Sequence, residues 1–340
     1  MAPDFFTFMP VHKNIFIVRC QNTKIEQCLS GAVHGNALIQ DEPMVRTIGS
    51  TGKIIAAGLA FAILWASASS ATKIGLQVAQ PFVLAIFRFF IAAATMLVIT
   101  HIVMGKRMPA KKEWAPLMIY GLLNITIYLG LYVIALQYVS AGIAALSIAA
   151  SPVYISLISS FWFRQPLKKS TGLSLLICSA GILIASWPLL QTSYVTPFGL
   201  IVLMSSMLSY SLGTIYFSRA KWNDLAILTI NGWQTLFGGI FLFPFMLFYY
   251  DGAKNDYGIR LAGSALWLAI PVSICALQLW MYLLRDNPVK ASFWLFLCPV
   301  FGFLIAALLL QEPLGFHTLA GVTLTLAGLM IVQKQKRATR

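Results

Sequence analysis

Charged side chains are scarce in this chain. Asp, Glu, Lys and Arg make up 10% of its 340 residues, whereas hydrophobic residues make up 59% and the mean hydropathy is +0.80. Soluble domains carry about 25% charged residues, so this composition excludes a soluble domain and indicates a membrane protein. The formal net charge is +14. The basic residues lie in short polar segments rather than along one amphipathic face, which argues against nucleic-acid binding.

The chain also lacks the residue clusters that most enzyme chemistry requires. Its five cysteines form no CxxC pair and its four histidines form no HExxH run, so neither a zinc site nor a disulfide framework is predicted. The phosphate-binding pattern GxxxxGK[ST] is missing, which argues against an ATP-driven pump. We therefore expect no catalytic residues, no metal site and no cofactor.

A succession of apolar stretches fills the chain from Ile54 to Val332. About twenty helical residues cross the roughly 30 Å hydrocarbon layer of a bilayer. Dividing the chain where charges, prolines or glycines cluster predicts ten transmembrane helices, at 54–76, 82–104, 115–136, 140–163, 170–187, 197–217, 225–249, 261–284, 289–310 and 315–332. The predicted fold class is an all-α polytopic membrane protein.

Basic residues are concentrated in alternate loops between the predicted spans. They follow the second, fourth, sixth, eighth and tenth spans, as Lys106, Arg107, Lys111, Lys112, Arg164, Lys168, Lys169, Arg219, Lys221, Arg285, Lys290, Lys334, Lys336, Arg337 and Arg340. Because cytoplasmic loops carry an excess of Lys and Arg, this pattern places both termini in the cytoplasm. An even number of spans agrees with that orientation.

The second half of the chain repeats landmarks of the first half at one constant offset. The matching pairs are Pro152 with Pro299, Pro166 with Pro313, and Gly181 with Gly328. Agreement at three pairs without a gap favours duplication over coincidence. Five spans per half is an odd number, so the second half must enter the membrane from the other side. We therefore expect two five-helix inverted-topology repeats, in which a midplane site opens alternately to the two sides.

The repeats are expected at residues 54–187 and 197–332, followed by a basic cytoplasmic tail at 333–340. Residues 1–53 form an N-terminal tail that does not fit the repeat plan. Charged residues interrupt its short apolar run, so no signal peptide is predicted. Met44 begins a short basic segment that precedes the first span. Residues 1–43 are therefore interpreted either as a mis-assigned start or as a mobile cytoplasmic tail.

Several segments resemble a known transporter family. They are LAFAILWASASSATKIG and QPFVLAIFRF in the first repeat, YVSAGIAALSIAASPVYISLISSFWFRQPL at its end, and LCPVFGFLIAALLLQEPLGFHTLAGVTLTLAGLMIV in the second. Together they resemble the EamA-type domain of the drug/metabolite transporter superfamily, whose acidic-Pro-Leu signature is matched from Glu312. The first copy departs from that signature with Gln165. The resemblance implies an exporter or exchanger of small metabolites, such as amino acids or their derivatives, in a bacterial inner membrane.

No acidic residue falls in the middle of a predicted span. The ten acids are Asp4, Glu26, Asp41, Glu42, Glu113, Asp224, Asp251, Asp256, Asp286 and Glu312. A carboxylate proton relay at the midplane is therefore not expected. Glu312 is the candidate coupling residue, and the alternative is a carboxylate that interacts with a helix N-terminus.

Polar and aromatic side chains inside the spans are the candidates for substrate binding. Arg88 lies about two turns inside the second span, where it either binds a substrate carboxylate or holds backbone carbonyls. Asn124, Tyr128 and Tyr132 recur at four-residue spacing and so share one helix face. Helix packing and interface anchoring are the alternatives. The candidates are Trp65, Ser69, Arg88, Asn124, Tyr128, Tyr210, Asn231, Gln234, Gln278 and Trp294.

Three prolines inside spans are candidate hinges for alternating access. Pro152, Pro271 and Pro299 each remove an intrahelical hydrogen bond, which produces either a flexible point or a static kink. Lys73 lies near the outer end of the first span, and its long stem is expected to extend to the membrane interface.

These features favour a secondary transporter whose partners are a small-molecule substrate and the lipid bilayer. No enzyme activity and no nucleic-acid partner are expected. One rival interpretation is a non-transporting membrane receptor or scaffold. A weaker rival is an intramembrane enzyme, which would need a catalytic cluster that the sequence lacks. The sequence indicates neither the substrate nor the oligomeric state.

Overall fold

The computed structural model describes residues 48–149, 151–162, 169–190, 194–286, 294, 295 and 297–338, which are helical apart from short connections and include no strand. Residues 1–43 and Gln165 lie outside these ranges. The chain divides after Ile55. The described part before that point, residues 48–55, is helical, and the residues from Ala56 onward form one compact unit.

The helices follow one another closely along the chain, as the apolar stretches predict. In chain order they are α1 Ile48–Leu76, α2 Pro81–Val103, α3 Lys111–Tyr138, α4 Ala141–Ala149, α5 Ser151–Trp162, α6 Lys169–Leu190, α7 Pro197–Arg219, α8 Ile227–Tyr249, α9 Ile259–Asp286, α10 Leu297–Leu310 and α11 Phe316–Ala338. Three helices contain π-helical segments, at Val98–Val103 in α2, Leu122–Ile127 in α3 and Leu268–Ala276 in α9.

Seven of the described helices are long and apolar enough to cross a membrane, namely α1, α2, α3, α6, α7, α8 and α9. The prediction of ten spans is not confirmed. The predicted span 140–163 is helical at 141–149 and at 151–162, whereas residues 150 and 163 lie outside the described ranges. The 14 residues of α10 rise only about 21 Å, less than a hydrocarbon layer. The protein is a multi-pass membrane protein, with seven candidate spans in its described part.

The helix boundaries repeat along the chain. Cys178 and Thr325, which are separated by 147 residues, have the same spacing as Pro152 and Pro299. At this offset α2 corresponds to α8, α3 to α9 and α6 to α11, with first residues that agree to within one position. The π-helical segments of α3 and α9 also fall at equivalent positions. The duplication seen in the sequence therefore extends to local helix geometry.

Hydrogen bonds between connections define two ends of the helical bundle. We call one end the basic end, because the connections 104–110 and 220–226 meet there and carry Lys106, Arg107 and Lys221. The two connections are joined by Arg107 Nη2, which donates to the Asn223 carbonyl oxygen at 2.5 Å. At the opposite end, the Asp256 N–H donates to the Val78 carbonyl oxygen at 2.7 Å. The connection after α1 thus lies at the opposite end, whereas the connection after α7, its equivalent in the second half, lies at the basic end.

Small residues allow α6 and α11 to approach each other closely. A Cβ atom added to Gly181 would lie 2.7 Å from the Gly321 carbonyl oxygen, and one added to Gly328 would lie 2.7 Å from Cys178 Sγ. Cys178 Sγ also donates to the Thr325 carbonyl oxygen at 3.5 Å. Helices in a bilayer associate through such close packing, because lipid tails are as apolar as the side chains. This contact joins the last helix of each half of the chain.

Gly181→Ala is expected to destabilise the protein, because the added methyl group forces α6 and α11 apart; overpacking costs about 1–3 kcal/mol. Gly172→Ala is the matched control in the same helix, since a Cβ there meets nothing within 4 Å. The control is expected to leave the free energy of unfolding unchanged or to raise it by up to about 1 kcal/mol, because alanine has a higher helix propensity than glycine. Thermal unfolding of both variants in detergent makes the comparison, and equal melting temperatures would contradict the close approach of α6 and α11.

Candidate functional site

One face of α3 carries a column of polar side chains through the middle of the bundle. Its members are Tyr120, Asn124, Tyr128 and Tyr132, at four-residue spacing, and we call them the α3 column. Tyr128 and Tyr132 are buried, with ring centroids 6.0 Å apart. The sequence had placed the last three on one face. Tyr120, one turn earlier, was missed, although the same spacing would have found it.

Amide side chains from α8 meet the first part of the α3 column. Asn124 Nδ2 donates to Gln234 Oε1 at 3.3 Å, and Gln234 Nε2 donates to Asn231 Oδ1 at 2.6 Å. Tyr120 also hydrogen-bonds to Gln234. Three of the four amide residues predicted as candidates thus form one chain of hydrogen bonds between α3 and α8.

Side chains from α1 and α7 meet the rest of the α3 column. The hydroxyl groups of Ser69 and Tyr132 are 2.8 Å apart, and the rings of Tyr128 and Tyr210 have centroids 4.9 Å apart. Gly213 on α7 also faces Asn124, since a Cβ there would lie 3.4 Å from Asn124 Cβ. The column is therefore enclosed by helices from both halves of the chain.

Arg88 is buried beside the α3 column, with a residue exposure of 8%. Its Nη2 donates to Ser273 Oγ on α9 at 3.3 Å, while its Nε has no hydrogen-bond partner among the described residues. Tyr128 and Tyr132 lie close enough to interact electrostatically with it. Ser273, which the sequence did not single out, is held by its own bond to the Leu268 carbonyl oxygen at 2.8 Å.

Three other candidates lie away from the α3 column. Trp65 is partly buried next to Phe61, with ring centroids 5.7 Å apart, and the indole of Trp294 packs against Gly58. Gln278 is exposed on the surface of the bundle. The described contacts of both tryptophans are with α1, so the structure does not bring these three residues to the polar cluster.

The hinge candidates occupy two kinds of position. Pro271 lies inside the π-helical segment of α9. Pro299 is the third residue of α10, whereas Pro152 lies in a helical stretch whose preceding residue, 150, is outside the described ranges. A proline in the first turn removes an N–H that would have no intrahelical partner in any case, so Pro299 does not interrupt the helix it begins.

Glu312 and Lys73 bracket the connection between α3 and α4 at the opposite end. Glu312 is buried, and its two carboxylate oxygens accept from the N–H groups of Ala141 at 2.6 Å and Gly142 at 3.1 Å. The Lys73 ammonium donates to the Val139 carbonyl oxygen. Each charge thus meets the helix end of opposite partial charge. Lys73 extends to a helix end inside the protein, where the sequence had suggested the membrane interface.

Two other described acidic residues form ion pairs, and both lie at the ends of the bundle. Glu113 binds Arg107 with an N–O distance of 2.7 Å at the basic end. At the opposite end Asp251 binds Lys254 at 3.0 Å, and this hydrogen bond lowers the pKa of the Asp251 carboxyl. Within the described ranges, no group of three or more His, Cys, Asp or Glu residues is arranged to hold a metal ion.

Glu312→Gln is expected to lower the free energy of unfolding by ~1–2 kcal/mol, because an NH2 group replaces one oxygen that faces a backbone N–H. Asp256→Asn is the matched control at the same end, since Asp256 is exposed and its Oδ1 acceptor is retained. The control is expected to stay within ~0.5 kcal/mol of the parent protein. Thermal unfolding in detergent compares them, and an unaffected Glu312→Gln variant would mean that this carboxylate does not stabilise α4.

Comparisons with known proteins match most of the chain. The EamA-like transporter family matches residues 52–187 and again residues 197–333. An uncharacterized transporter of Archaeoglobus fulgidus is 27% identical over 274 residues, covering 80% of this chain and 95% of that protein. Protein PecM of Dickeya dadantii is 29% identical over 237 residues, covering 68% of this chain and 78% of PecM.

One protein of known crystal structure shares the fold. It superposes with a TM-score of 0.59 at 16% sequence identity, covering 85% of this chain and 99% of that chain. The resemblance inferred from the sequence motifs is confirmed by the two family matches. This chain therefore belongs to the EamA-like transporter family.

Proposed function

We propose that this protein is a secondary transporter that exports or exchanges small metabolites, such as amino acids or their derivatives, by alternating access. The observation that carries the proposal is the α3 column, whose phenol and amide groups meet α1 and α2 from the first half and α7 and α8 from the second. Buried polar side chains are costly in a bilayer and characteristically line a substrate pathway. A scaffold protein would have no need of such a column.

Two inverted-topology repeats support the proposed mechanism. The connections after α1 and after α7 are equivalent in the two halves but lie at opposite ends of the bundle, which is the arrangement expected when one half enters the membrane in reverse. The column lies between the halves, where relative rocking would expose it first to one side and then to the other. The π-helical segments of α3 and α9 fall at equivalent positions, and they contain Asn124 of the column and Ser273, which binds Arg88. Such segments are frequent at functional sites.

The proposed orientation places the basic end in the cytoplasm of a bacterial cell, with both termini there and the inner membrane as the location. Lys106, Arg107 and Lys112 lie at the basic end with Arg219 and Lys221, in keeping with the excess of basic residues in cytoplasmic loops.

Gln234→Leu and Asn124→Leu are expected to lower the initial rate of solute flux by about tenfold or more, equivalent to ~1.4 kcal/mol of barrier. The fold should survive, because hydrogen bonds between membrane helices contribute only about 0.6 kcal/mol on average. Gln278→Leu is the matched control, since Gln278 is exposed and lies away from the column. Uptake into proteoliposomes with pooled labelled amino acids, nucleosides and S-adenosylmethionine, with and without a pH gradient, measures the flux. Equal flux for the three variants would mean that the α3 column does not lie on the transport route.

Single-cysteine labelling tests the orientation. With the native cysteines replaced, a cysteine at the exposed position Ala253 is expected to react with a membrane-impermeant maleimide added to intact cells. A cysteine at Lys112, exposed near the basic end, is expected to react only after the cells are opened. The reverse pattern would place the basic end outside.

A further inference from the structure

We infer that Arg88 is an anion-binding group of the transport site and that the transported solutes carry a carboxylate. This inference rests on the proposed function and names the class of solute. It follows from the contacts that the guanidinium makes, from those it lacks, and from the charges around it.

Arg88 is a buried cation without a described anionic partner. Its residue exposure is 8%, about two turns inside α2. Two buried acidic residues are engaged elsewhere. Glu113 binds Arg107, and Glu312 binds the first N–H groups of α4. The groups that interact electrostatically with Arg88 are the phenols of Tyr128 and Tyr132 and the ring of Phe89, whose centroid lies 5.9 Å from Arg88 Cζ, and none of these is a carboxylate. A charge in the hydrocarbon region is costly unless it is paired or hydrated, so this site favours an anion.

The guanidinium is also incompletely hydrogen-bonded. It has five N–H donors in a planar fork. One nitrogen, Nη2, donates to Ser273 Oγ, whereas Nε is buried with no partner among the described residues. The Ser273 hydroxyl donates to the Leu268 carbonyl oxygen and so accepts from Arg88. This contact fixes the guanidinium from one side and leaves donors for a ligand with two oxygens.

A carboxylate fits this site better than a phosphate ester does. Its two oxygens match the guanidinium fork in a bidentate pair. One carboxylate with one arginine is electrically neutral, whereas a phosphate ester carries about −1.5 to −2 charges at neutral pH. Lys73, in the last turn of α1, is occupied at the Val139 carbonyl oxygen. Tyr128 lies near Arg88 and its ring packs against Tyr210, so this aromatic pair can contact the rest of the solute.

A binding assay separates this inference from the proposed function. The purified protein is heated in detergent with pools of carboxylates, of the corresponding carboxamides, or of phosphate esters. We expect at least one carboxylate pool to raise the melting temperature and its carboxamide pool to do so about tenfold more weakly in apparent affinity. Arg88→Gln should abolish the shift, and Arg88→Lys, which keeps the charge without the fork, should weaken it. Arg260→Gln, at an exposed arginine, is the matched control and should bind as the parent does.

Proteoliposome flux with the same pools completes the test. Carboxylate flux that is lost in Arg88→Gln but retained in Arg260→Gln supports the inference. Stabilisation or flux by carboxamides or phosphate esters alone, or carboxylate flux that persists in Arg88→Gln, overturns it while the transporter proposal stands. Stabilisation by carboxylates without flux of any pool supports the binding subsite but contradicts transport of these solutes. No stabilisation by any carboxylate overturns the inference.

A second variant covers the case in which Arg88→Gln fails to fold. Ser273→Ala removes the acceptor that orients the guanidinium and leaves its charge in place. We expect Ser273→Ala to weaken carboxylate binding several-fold, roughly as loss of one hydrogen bond to a charged group does. Unchanged carboxylate affinity in both Ser273→Ala and Arg88→Lys would assign Arg88 a structural role in joining α2 to α9.

Discussion

The hydrocarbon interior of a bilayer offers no hydrogen-bond partners, and the polar groups of this protein are arranged under that constraint. Most described hydroxyl and amide side chains within the helices find partners on other helices or on carbonyl groups about one turn back. Four pairs between helices are Ser69 with Tyr132, Thr100 with Thr229, Asn124 with Gln234, and Ser67 with Trp267. Most of these four join the first half of the chain to the second. Arg88 Nε and Ser70 Oγ are buried without a partner among the described residues, and of the two side chains only Arg88 carries a charge.

Close helix contacts and loosened helix segments occupy different parts of the bundle. Between α6 and α11, glycines at equivalent positions bring the two backbones together, and neither helix has a π-helical segment among its described residues. In α3 and α9 the π-helical segments interrupt the regular α-helical hydrogen bonding beside the polar side chains. A transporter that rocks needs one interface that stays closed and another that can rearrange. Small residues favour the first property, and irregular hydrogen bonding favours the second.

Much of this arrangement could be predicted from the sequence because it depends on local pattern. Apolar length predicted the helices, and the constant spacing of prolines and glycines predicted the repeat. Four-residue spacing predicted that Asn124, Tyr128 and Tyr132 share a face. What the sequence could not provide is which residues meet across helices. Ser273 is an ordinary serine in an apolar stretch until α9 is placed beside α2, and Gln278 is indistinguishable from Gln234 until one lies on the surface. The short helix α10 also could not be anticipated from hydropathy, which registers apolar length and not the position of helix ends.

The two ends of the bundle differ in charge although the repeats share one plan. At the opposite end, Lys73 and Glu312 each bind a helix end of opposite partial charge. At the offset of 147 residues, the sequence carries Ala220 where the second half would need a lysine and Gln165 where the first half would need a glutamate. The charged contacts of Lys73 and Glu312 therefore have no counterpart of the same chemistry in the other half of the sequence. In an inverted-repeat transporter the balance between the two conformations is set by the difference between the two ends. In such a transporter, charged contacts like those of Lys73 and Glu312, when they have no equivalent at the other end, favour the conformation in which their own end is closed.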